Sequence, residues 1–437
     1  MNLPIREWSS LDEQERRRIL ARSESDISAV HDAVADVIAT VRRDGDTALR
    51  ELTRRFDKAD LADRELLISR AEIDASGDSL PREVRDALDY AIENVRRYHA
   101  AQLPPEIHTT EVRPGILAGE RCRPIPSVGL YVPRGRGSFP SMLYMLAMPA
   151  HLAGVGRIVV ATPPGPDGTV DEACLYAAGQ CGVHEVVRVG GAQAVAALAY
   201  GTESVAPVSK IMGPGSAYVA AAMRQVASEV HIGLPAGPSE SIILADKHAD
   251  PWRVSLDLMI EAEHGSDSSA ILVTPSRPVA ESVAEIIPVL AEDVPEPRRT
   301  FLSDALTGYG GIILSEDMSE AVAIVNAFGP EHLQVQTTDP YETISGIENA
   351  GEILIGPEAA FSIANYATGA NAVLPTGGNA VTWSPVSVRD FVKFQSVVHV
   401  TSQGYRSAEP HVVTLADYEG FHTHAAALRR RFESLGG

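Results

Sequence analysis

The sequence is poor in cysteine and contains no long apolar segment. Its 437 residues include three cysteines, Cys122, Cys174 and Cys181, a small and odd number that argues against a disulfide framework and for a reducing compartment. No run of about 18 apolar residues occurs, and the first residues lack the apolar core of a signal peptide. We therefore expect a cytoplasmic protein without a membrane partner.

Basic residues are also scarce relative to acidic ones. The chain has 37 Lys and Arg against 58 Asp and Glu, which gives a formal net charge of −21. The long-range field of such a protein repels nucleic acids and anionic membranes unless a local basic patch overrides it. The basic run that we find, Arg429 to Arg431, falls in a predicted helical tail, so we expect no nucleic-acid partner.

Short apolar runs alternate with helical segments over most of the chain. Helical patterns at 10–55 and 81–102 come first, and from residue 105 onward strand and helix signals alternate, which predicts βαβ units and parallel sheets. Beyond residue 385 the pattern weakens into a polar tail that ends in a helix at 420–435. The predicted strands fall in two series, at 128–133, 157–162, 186–189 and 210–212, then at 241–246, 270–273, 311–314 and 333–336. We therefore expect an α/β fold of two incomplete Rossmann-like parallel-sheet lobes, with a helical N-terminal segment and a C-terminal helical arm.

Glycine-rich turns follow several of the predicted strands. They are Gly135-Arg136-Gly137, Gly190-Gly191, Gly213-Pro214-Gly215 and Gly237-Pro238-Ser239. Glycine permits positive φ angles and a close approach of the backbone to a phosphate. None of these turns completes the GxGxxG pattern of dinucleotide sites, because in the pattern that starts at Gly213 the sixth position is Tyr218 instead of glycine. Each turn taken separately is equally explained as an ordinary connection of an α/β protein.

Glu261 and His264 form a candidate ligand pair at the end of a predicted helix. Their spacing of three residues places the carboxylate and the imidazole on one helical face. Gly265 then ends the helix, and a short apolar strand follows. The alternative is a solvated helix terminus in which His264 interacts with the negative end of the helix dipole. Two ligands do not complete a zinc site, which needs three or four.

Three further segments carry polar side chains in positions that suggest chemistry. Glu331 and His332 stand where a helix has ended and a strand begins, although neighbouring residues of a strand point to opposite faces. The segment from Asn365 to Gly378 is too elaborate for a simple connection. The third segment, Glu419 to His424, contains alternating histidines. Each of these segments, taken separately, is also explained as a capping turn or a polar surface.

Taken together and in order, these segments resemble one known family. The stretches GGAQAVAALAYGTESV, KIMGPGSAYV, GLPAGPSES, EAEHGSDS, GPEHL, NYATGANAVLPTGG and EGFHTH are similar to those of the histidinol dehydrogenase family. The resemblance runs from about Gly129 to His424 and so covers most of the chain. It implies a zinc-dependent, NAD-linked dehydrogenase that oxidises a primary alcohol through an aldehyde to a carboxylate and uses two NAD.

The resemblance also implies roles for individual residues. Matching the family's motifs to this sequence, we expect the following groups: metal ligands Glu261, His264, Asn365 and His424; proton-accepting residues Glu331 and His332; NAD contacts Tyr131, Gln193 and Ser216; and substrate contacts Ser239 and Glu419, together with the metal ligands and His332. In this scheme His332 takes the alcohol proton as the hydride leaves, and Glu331 activates water to attack the aldehyde.

Several positions depart from the family's usual pattern. Glu261 stands where the family usually has glutamine, and Asn365 where it has aspartate, so that the formal charge of the ligand set is unchanged. Ser216 replaces a usual asparagine. Ala372 stands where histidinol-specific members often have a histidine that touches the substrate. These departures keep two alternatives open: a paralogue acting on another alcohol, such as a sulfonated or hydroxylated diol, and an inactive binding or regulatory protein.

The same resemblance implies a homodimer and a discontinuous domain plan. We expect an N-terminal helical arm at 1–28 and a second Rossmann-like lobe at 132–240. The first lobe is expected to combine 29–131 with 241–383. The C-terminal arm, 384–437, is expected to reach the partner subunit, so that Glu419 and His424 would act in the other subunit's site.

Overall fold

The computed structural model describes residues 1, 3–22, 28–134 and 137–433. The strands found in this part of the chain are β1 (Ile5–Glu7), β2 (Ile107–Arg113), β3 (Ile116–Pro124), β4 (Ser127–Tyr131), β5 (Arg157–Ala161), β6 (Glu185–Val187), β7 (Lys210–Met212), β8 (His231–Ile232), β9 (Glu240–Ala245), β10 (Ser269–Thr274), β11 (Gly311–Leu314), β12 (His332–Gln336), β13 (Glu352–Ile355) and β14 (Val392–Val400).

The α-helices of the described residues connect these strands. They are α1 (Glu13–Ala21), α2 (His31–Phe56), α3 (Arg70–Ala75), α4 (Arg82–Ala100), α5 (Pro140–Leu152), α6 (Glu172–Gln180), α7 (Gly191–Tyr200), α8 (Ala217–Val226), α9 (Pro251–Ala262), α10 (Arg277–Leu290), α11 (Arg298–Gly308), α12 (Met318–Phe328), α13 (Pro340–Ile344), α14 (Phe361–Tyr366), α15 (Ser402–Tyr418) and α16 (His422–Arg429). The chain divides into two compact units, Met1–Gln102 with Ile125–Phe391, and Leu103–Pro124 with Val392–Gly437.

The first unit contains two parallel sheets with the same strand topology. One has the order β6-β5-β4-β7-β8, and the other has the order β1-β11-β10-β9-β12-β13. When β1 is left out and the remaining five strands of each sheet are numbered along the chain, both sheets follow the order 3-2-1-4-5, which is the order of a doubly wound Rossmann-type sheet. The predicted α/β fold with two incomplete Rossmann-like lobes is therefore confirmed.

Both faces of the six-stranded sheet are covered. Ile243 belongs to an apolar cluster with residues of α9, α10 and α11, whereas its neighbours Ile242 and Leu244 pack with residues of α12. Successive residues of a strand point to opposite faces, so a sheet covered on both sides has continuous apolar strands. This is why the sequence pattern predicted β9 to β12 within one or two residues.

The division between the two lobes differs from the predicted one. The expectation placed residues 29–131 in the same lobe as 241–383, but β4 pairs with β5 and β7 of the five-stranded sheet. Helix α2 packs on α7 and α8, and α4 packs on α5. Strand β4 and the helices between residues 31 and 100 therefore belong with 132–240, whereas residues 103–124 belong to the second unit. In the predicted helical arm at 1–28, Ile5 pairs with Ile312, so that β1 is a strand of the six-stranded sheet. Residues 2 and 23–27 of this arm lie outside the described residues.

The second unit is built on an antiparallel sheet that the sequence pattern did not predict. Its strand order is β14-β3-β2, and α15 and α16 follow β14. The predicted arm at 384–437 was interpreted as a polar tail with one terminal helix, which is wrong for the nine residues of β14 and the seventeen of α15. Residues 434–437 are not described.

No helix in the described part of the chain is long and apolar enough to cross a membrane.

Candidate active site

The candidate chemical residues gather at the amino edge of the six-stranded sheet. Glu240, His332 and Glu352 are the first residues of β9, β12 and β13, which are neighbours in the sheet. The parallel register pairs His332 with Ser241 on one side and with Glu352 on the other. Most open α/β sheets bind ligands at the opposite edge, outside the carboxyl ends of the strands. The strand topology therefore does not explain why ionisable groups are buried at the amino edge. Such groups are often part of a functional site.

Three of the four predicted metal ligands meet beside this edge. Glu261 lies in the last turn of α9, and His264 follows just beyond the helix. Glu261 Oε2 lies 2.8 Å from His264 Nδ1, and Asn365 Nδ2 donates a hydrogen bond to Glu261 Oε1 at 3.0 Å. Ser239 Oγ lies 2.9 Å from the same Nδ1 atom. The structure therefore brings together four residues from three separate segments of the sequence that were predicted for one site.

Glu261 is buried and ionised. Burial by itself raises the pKa of a carboxyl group, but the charges of His264 and His332 and the hydrogen bond from Asn365 outweigh it and lower the pKa of Glu261 to about 2. The Glu261 carboxylate in turn raises the pKa of His264. With Glu261 only 1% exposed, the alternative of a solvated helix terminus does not apply to this residue.

Glu331 and His332 form a second buried pair. Gly329 ends α12 with the left-handed φ of 57°, and Glu331 lies in the short loop between this turn and β12. Because Glu331 precedes the strand, the alternation of side chains along a strand does not separate it from His332. Glu331 Oε1 lies 3.9 Å from His332 Nε2, so the two side chains enter one site.

The environment shifts the pKa values of both members of this pair upward. Burial raises the pKa of Glu331 to about 8, although His332 opposes the shift. Burial lowers the pKa of His332, but the carboxylates of Glu261, Glu352 and Glu331 outweigh it and raise the pKa to about 9. The pair can therefore hold and release protons between neutral and alkaline pH.

Two buried carboxylates of this cluster were not predicted from the sequence. Glu240 Oε1 lies 3.2 Å from Arg22 Nε, and the backbone N–H of Glu240 donates to Glu331 Oε2 at 2.9 Å. Glu352 Oε2 lies 2.9 Å from His332 Nδ1. Both glutamates open strands that are otherwise apolar or small. A charged residue at the start of an apolar strand is the sequence signal that could have identified them.

The donor atoms around Glu261 fit part of a zinc site. Glu261 Oε2 is buried and receives no hydrogen bond in the described part of the chain, although His264 Nδ1 is near. A half-turn of the Asn365 amide about its side-chain bond would present the amide oxygen to the same position. Among the described residues, no group of three or more His, Cys, Asp or Glu side chains is arranged to hold a metal ion. One carboxylate, one imidazole and one amide therefore need a fourth donor.

Glu419 and His424 lie in the second unit and are exposed there. Glu419 directly follows α15, and His424 lies in the first turn of α16. The ring of His424 packs against that of Phe421, with the ring centroids 5.2 Å apart. The roles predicted for Glu419 in substrate binding and for His424 in metal binding stay predictions.

The predicted cofactor residues lie around the reversal point of the five-stranded sheet. Tyr131 ends β4 and Ser216 precedes α8 just beyond β7, and these two strands flank the place where the strand order reverses. The Tyr131 hydroxyl accepts a hydrogen bond from the N–H of Gly191 at 3.0 Å. In the same helix turn, Gln193 is buried, and its Nε2 has no acceptor among the described residues. This topology binds nucleotides at such a crevice, and Gln193 supplies an unused donor beside it.

The turn after β7 shows why one of the predicted glycines is needed. Gly213 has a φ of 129°, and a Cβ atom at this position would lie 2.1 Å from the carbonyl oxygen of Tyr131. A side chain would therefore push the turn away from the end of β4. Of the other predicted turns, Gly190 and Gly191 directly precede or begin α7, whereas Gly135 and Arg136 lie outside the described residues.

At the corresponding crevice of the six-stranded sheet, two aspartates occupy several of the main-chain N–H groups. At the carboxyl ends of β9 and β12, Asp246 accepts hydrogen bonds from the N–H groups of His248 and Thr338 at 2.8 and 2.7 Å. Asp250 accepts from the N–H of Trp252 at the start of α9, at 3.0 Å. A bound phosphate would need such main-chain donors. The five-stranded sheet is therefore the better candidate for binding a dinucleotide.

Known proteins resemble this chain over nearly its whole length. A family model described as histidinol dehydrogenase matches residues 20–432. A histidinol dehydrogenase from Synechocystis sp. is 46% identical over 98% of this chain and 98% of that protein. A protein from Mesorhizobium japonicum named histidinol dehydrogenase homolog 2 is 46% identical over 98% of this chain and 97% of its own.

The similarity extends to a solved structure. The crystal structure of histidinol dehydrogenase from Elizabethkingia anophelis matches this chain with a TM-score of 0.92 and 31% sequence identity. The match covers 100% of this chain and 99% of that one. The fold and the sequence motifs therefore point to the same relatives.

Proposed function

Since the chain belongs to the histidinol dehydrogenase family of NAD-dependent oxidoreductases, we propose that it oxidises a primary alcohol through an aldehyde to a carboxylate. The observation that carries this proposal is the buried cluster in which Glu261, His264 and Asn365 adjoin the pair of Glu331 and His332. Their charges are close enough to shift one another's pKa values. Buried groups whose pKa values are shifted by specific charged neighbours are typical of catalytic sites.

The reaction requires groups that accept protons at two stages. In the first oxidation, the alcohol and NAD⁺ give the aldehyde, NADH and one proton. In the second, the aldehyde, water and a second NAD⁺ give the carboxylate, NADH and two protons. NAD⁺ supplies the hydride acceptor in both oxidations. Glu331 and His332 provide two neighbouring proton acceptors, which matches this requirement.

We assign the first proton transfer to His332 and the second to Glu331. His332 Nε2 takes the hydroxyl proton as the hydride leaves, and the Glu331 carboxylate removes a proton from the water that attacks the aldehyde. Surrounding carboxylates keep His332 protonated in the ligand-free chain. The positive charge of the oxidised nicotinamide and of a cation near Glu261 would offset these carboxylates and release the imidazole for base catalysis.

We further propose that Glu261, His264, Asn365 and His424 hold a zinc ion. Zinc would supply a Lewis acid that polarises the alcohol oxygen and favours loss of its proton. A neutral amide such as that of Asn365 is a poorer zinc ligand than a carboxylate, but Glu261 supplies the missing negative charge. Ser239, which lies beside His264, is placed to contact the substrate.

We propose a homodimer in which His424 and Glu419 act in the partner subunit's site, and the position of the fourth ligand is the reason. The first unit provides three ligand side chains, and the fourth, His424, belongs to the other unit of the chain. Mixing subunits that carry His264→Ala with subunits that carry His424→Ala tests this arrangement. Activity should reappear in the mixture, because one of the two sites of a mixed dimer would then be complete. If the mixture contains demonstrated heterodimers and is still inactive, the two subunits do not share a site.

The number of NADH formed per substrate molecule tests the proposed reaction. We expect each molecule of the alcohol that the protein oxidises to give two NADH, because oxidation to the acid requires two hydride transfers. The measurement is the endpoint absorbance of NADH with limiting alcohol and excess NAD⁺. One NADH per molecule, with aldehyde accumulating, would contradict the second oxidation.

A panel of alcohols tests the alternative substrate. Ala372 stands where histidinol-specific members often have histidine, and its small side chain favours an alcohol without an imidazole. Sulfonated diols, hydroxylated diols and amino alcohols should then be oxidised with a higher kcat/KM than histidinol. Efficient turnover of histidinol alone would exclude this alternative, and no turnover of any alcohol would favour a binding protein.

A further inference from the structure

The imidazole of His332 is fixed on the side that faces away from Glu331. His332 and Glu352 begin adjacent parallel strands and are partners in the register, which places their side chains on the same face of the sheet. His332 Nδ1 lies 2.9 Å from Glu352 Oε2, and the side chains are 4% and 9% exposed. The contact therefore lies inside the protein, where an aligned hydrogen bond to a carboxylate is strong.

Two further contacts hold this arrangement in place. The backbone N–H of Glu352 donates to the carbonyl oxygen of Glu331 at 2.9 Å, so that Glu352 is linked to both members of the proton-accepting pair. The ring of Phe361 meets the His332 ring edge to face, with the centroids 5.8 Å apart. Phe361 is fully buried, so its position restricts rotation of the imidazole.

We propose that Glu352 is a positioning residue that keeps a proton on His332 Nδ1 and thereby leaves Nε2 as the atom that accepts the alcohol proton. A carboxylate without its own proton accepts hydrogen bonds and cannot donate them, so it selects the tautomer of a neutral imidazole that carries its proton on the contacting nitrogen. When Nε2 takes the substrate proton, the same carboxylate lies against the positive charge that forms. The assignment deepens the proposed function and rests on it.

Glu352→Gln tests the proposal kinetically. The amide keeps the length of the side chain but can donate as well as accept, so the Nδ1–H tautomer is no longer enforced. We expect kcat to fall on the order of 10- to 100-fold, whereas KM for the alcohol and for NAD should change less than about twofold. Glu352→Asp keeps the carboxylate and should recover part of kcat. The matched control is Glu348→Gln, at an exposed position in the loop before β13, which should leave kcat unchanged.

The His332→Asn background separates positioning from a structural role. Without the imidazole there is nothing for Glu352 to orient, so adding Glu352→Gln should lower the residual kcat by less than about twofold. Unfolding temperatures of all variants are measured in parallel. An equal loss of kcat in both backgrounds would overturn the proposal, because a structural contribution of Glu352 does not depend on His332.

The tautomer can also be observed without any turnover. In protein labelled with ¹⁵N-histidine, the His332 signals are assigned by their loss in His332→Asn and are recorded well above pH 9, where the neutral imidazole predominates. We expect protonated Nδ1 in the wild type and a mixture of tautomers in Glu352→Gln. Protonated Nε2 in the wild type would overturn the role of Glu352. The Nδ1–H tautomer in a protein that oxidises no alcohol would instead contradict the proposed function and leave the Glu352 contact established.

Discussion

Replacing His332 by asparagine is expected to slow NADH formation by a factor on the order of 10² to 10⁴, the usual contribution of a positioned general base. Asparagine is similar in size to part of the imidazole but cannot take a proton. The measurement is kcat and kcat/KM for the alcohol, together with the zinc content of the purified variant. Zinc content should stay unchanged, because His332 is not among the proposed ligands.

The pH dependence of the wild type provides a second measure of the same group. Only the neutral imidazole accepts a proton, so kcat/KM should rise with pH as His332 loses its proton, toward about pH 9 in the ligand-free chain. His332→Asn should lack this rise. His248→Asn is the matched control, since His248 is exposed at the opposite edge of the same sheet. Full activity of the His332 variant would show that the base is another group.

Replacing Glu261 by leucine is expected to remove zinc and, with it, alcohol oxidation. The substitution removes the one carboxylate of the proposed ligand set and fills the same buried space with an apolar side chain. Loss of a ligand should weaken zinc binding on the order of 100-fold or more, since changes to groups that merely orient a ligand already cost 10- to 100-fold. The measurement is zinc per subunit after dialysis, followed by activity with and without added zinc.

Glu261→Gln is the control that separates the ligand from the charge. Its amide keeps an oxygen donor, and glutamine is the usual residue of the family at this position, so zinc and most of the activity should be retained. His264→Asn should lose zinc like the leucine variant. Because it changes a different ligand, it shows whether zinc loss in the leucine variant comes from the missing ligand or from a folding defect. A wild-type protein that is fully active without any metal would contradict the zinc site, and one that is both metal-free and inactive would favour a binding protein.

The sequence predicted the parallel sheets well and the antiparallel sheet not at all. Strands such as β9 and β12 are buried throughout, so their apolar runs stand out from the helices around them. The whole of β2 is exposed, and β14 is largely exposed, so neither needs the apolar alternation by which strands are recognised. Pairing partners far apart in the chain, such as β3 and β14, leave no local pattern in either segment.

The site was predicted where its signals are local and missed where they depend on strand register. Glu261 and His264 share a helix face, and Glu331 and His332 are neighbours, so both pairs are visible in the sequence. Glu352 becomes part of the site because β13 lies beside β12 with a particular register. The residue spacing within β12 or within β13 does not reveal which residues of the two strands are paired. The same holds for Glu240, whose strand β9 lies beside β12 and whose backbone N–H donates to the Glu331 carboxylate.

The short strand at the start of the chain has a consequence for the order of folding. Strand β1 pairs with β11, and its partner residues, such as Ile5 and Ile312, are about three hundred positions apart. During synthesis β1 therefore emerges long before any residue with which it can pair, and β11 remains an open edge until the two meet. Contacts of such large sequence separation form slowly, and an unpaired edge can recruit a strand from another chain. The pairing of β1 with β11 is therefore expected to occur late in folding. Chaperones would have the most effect at this step.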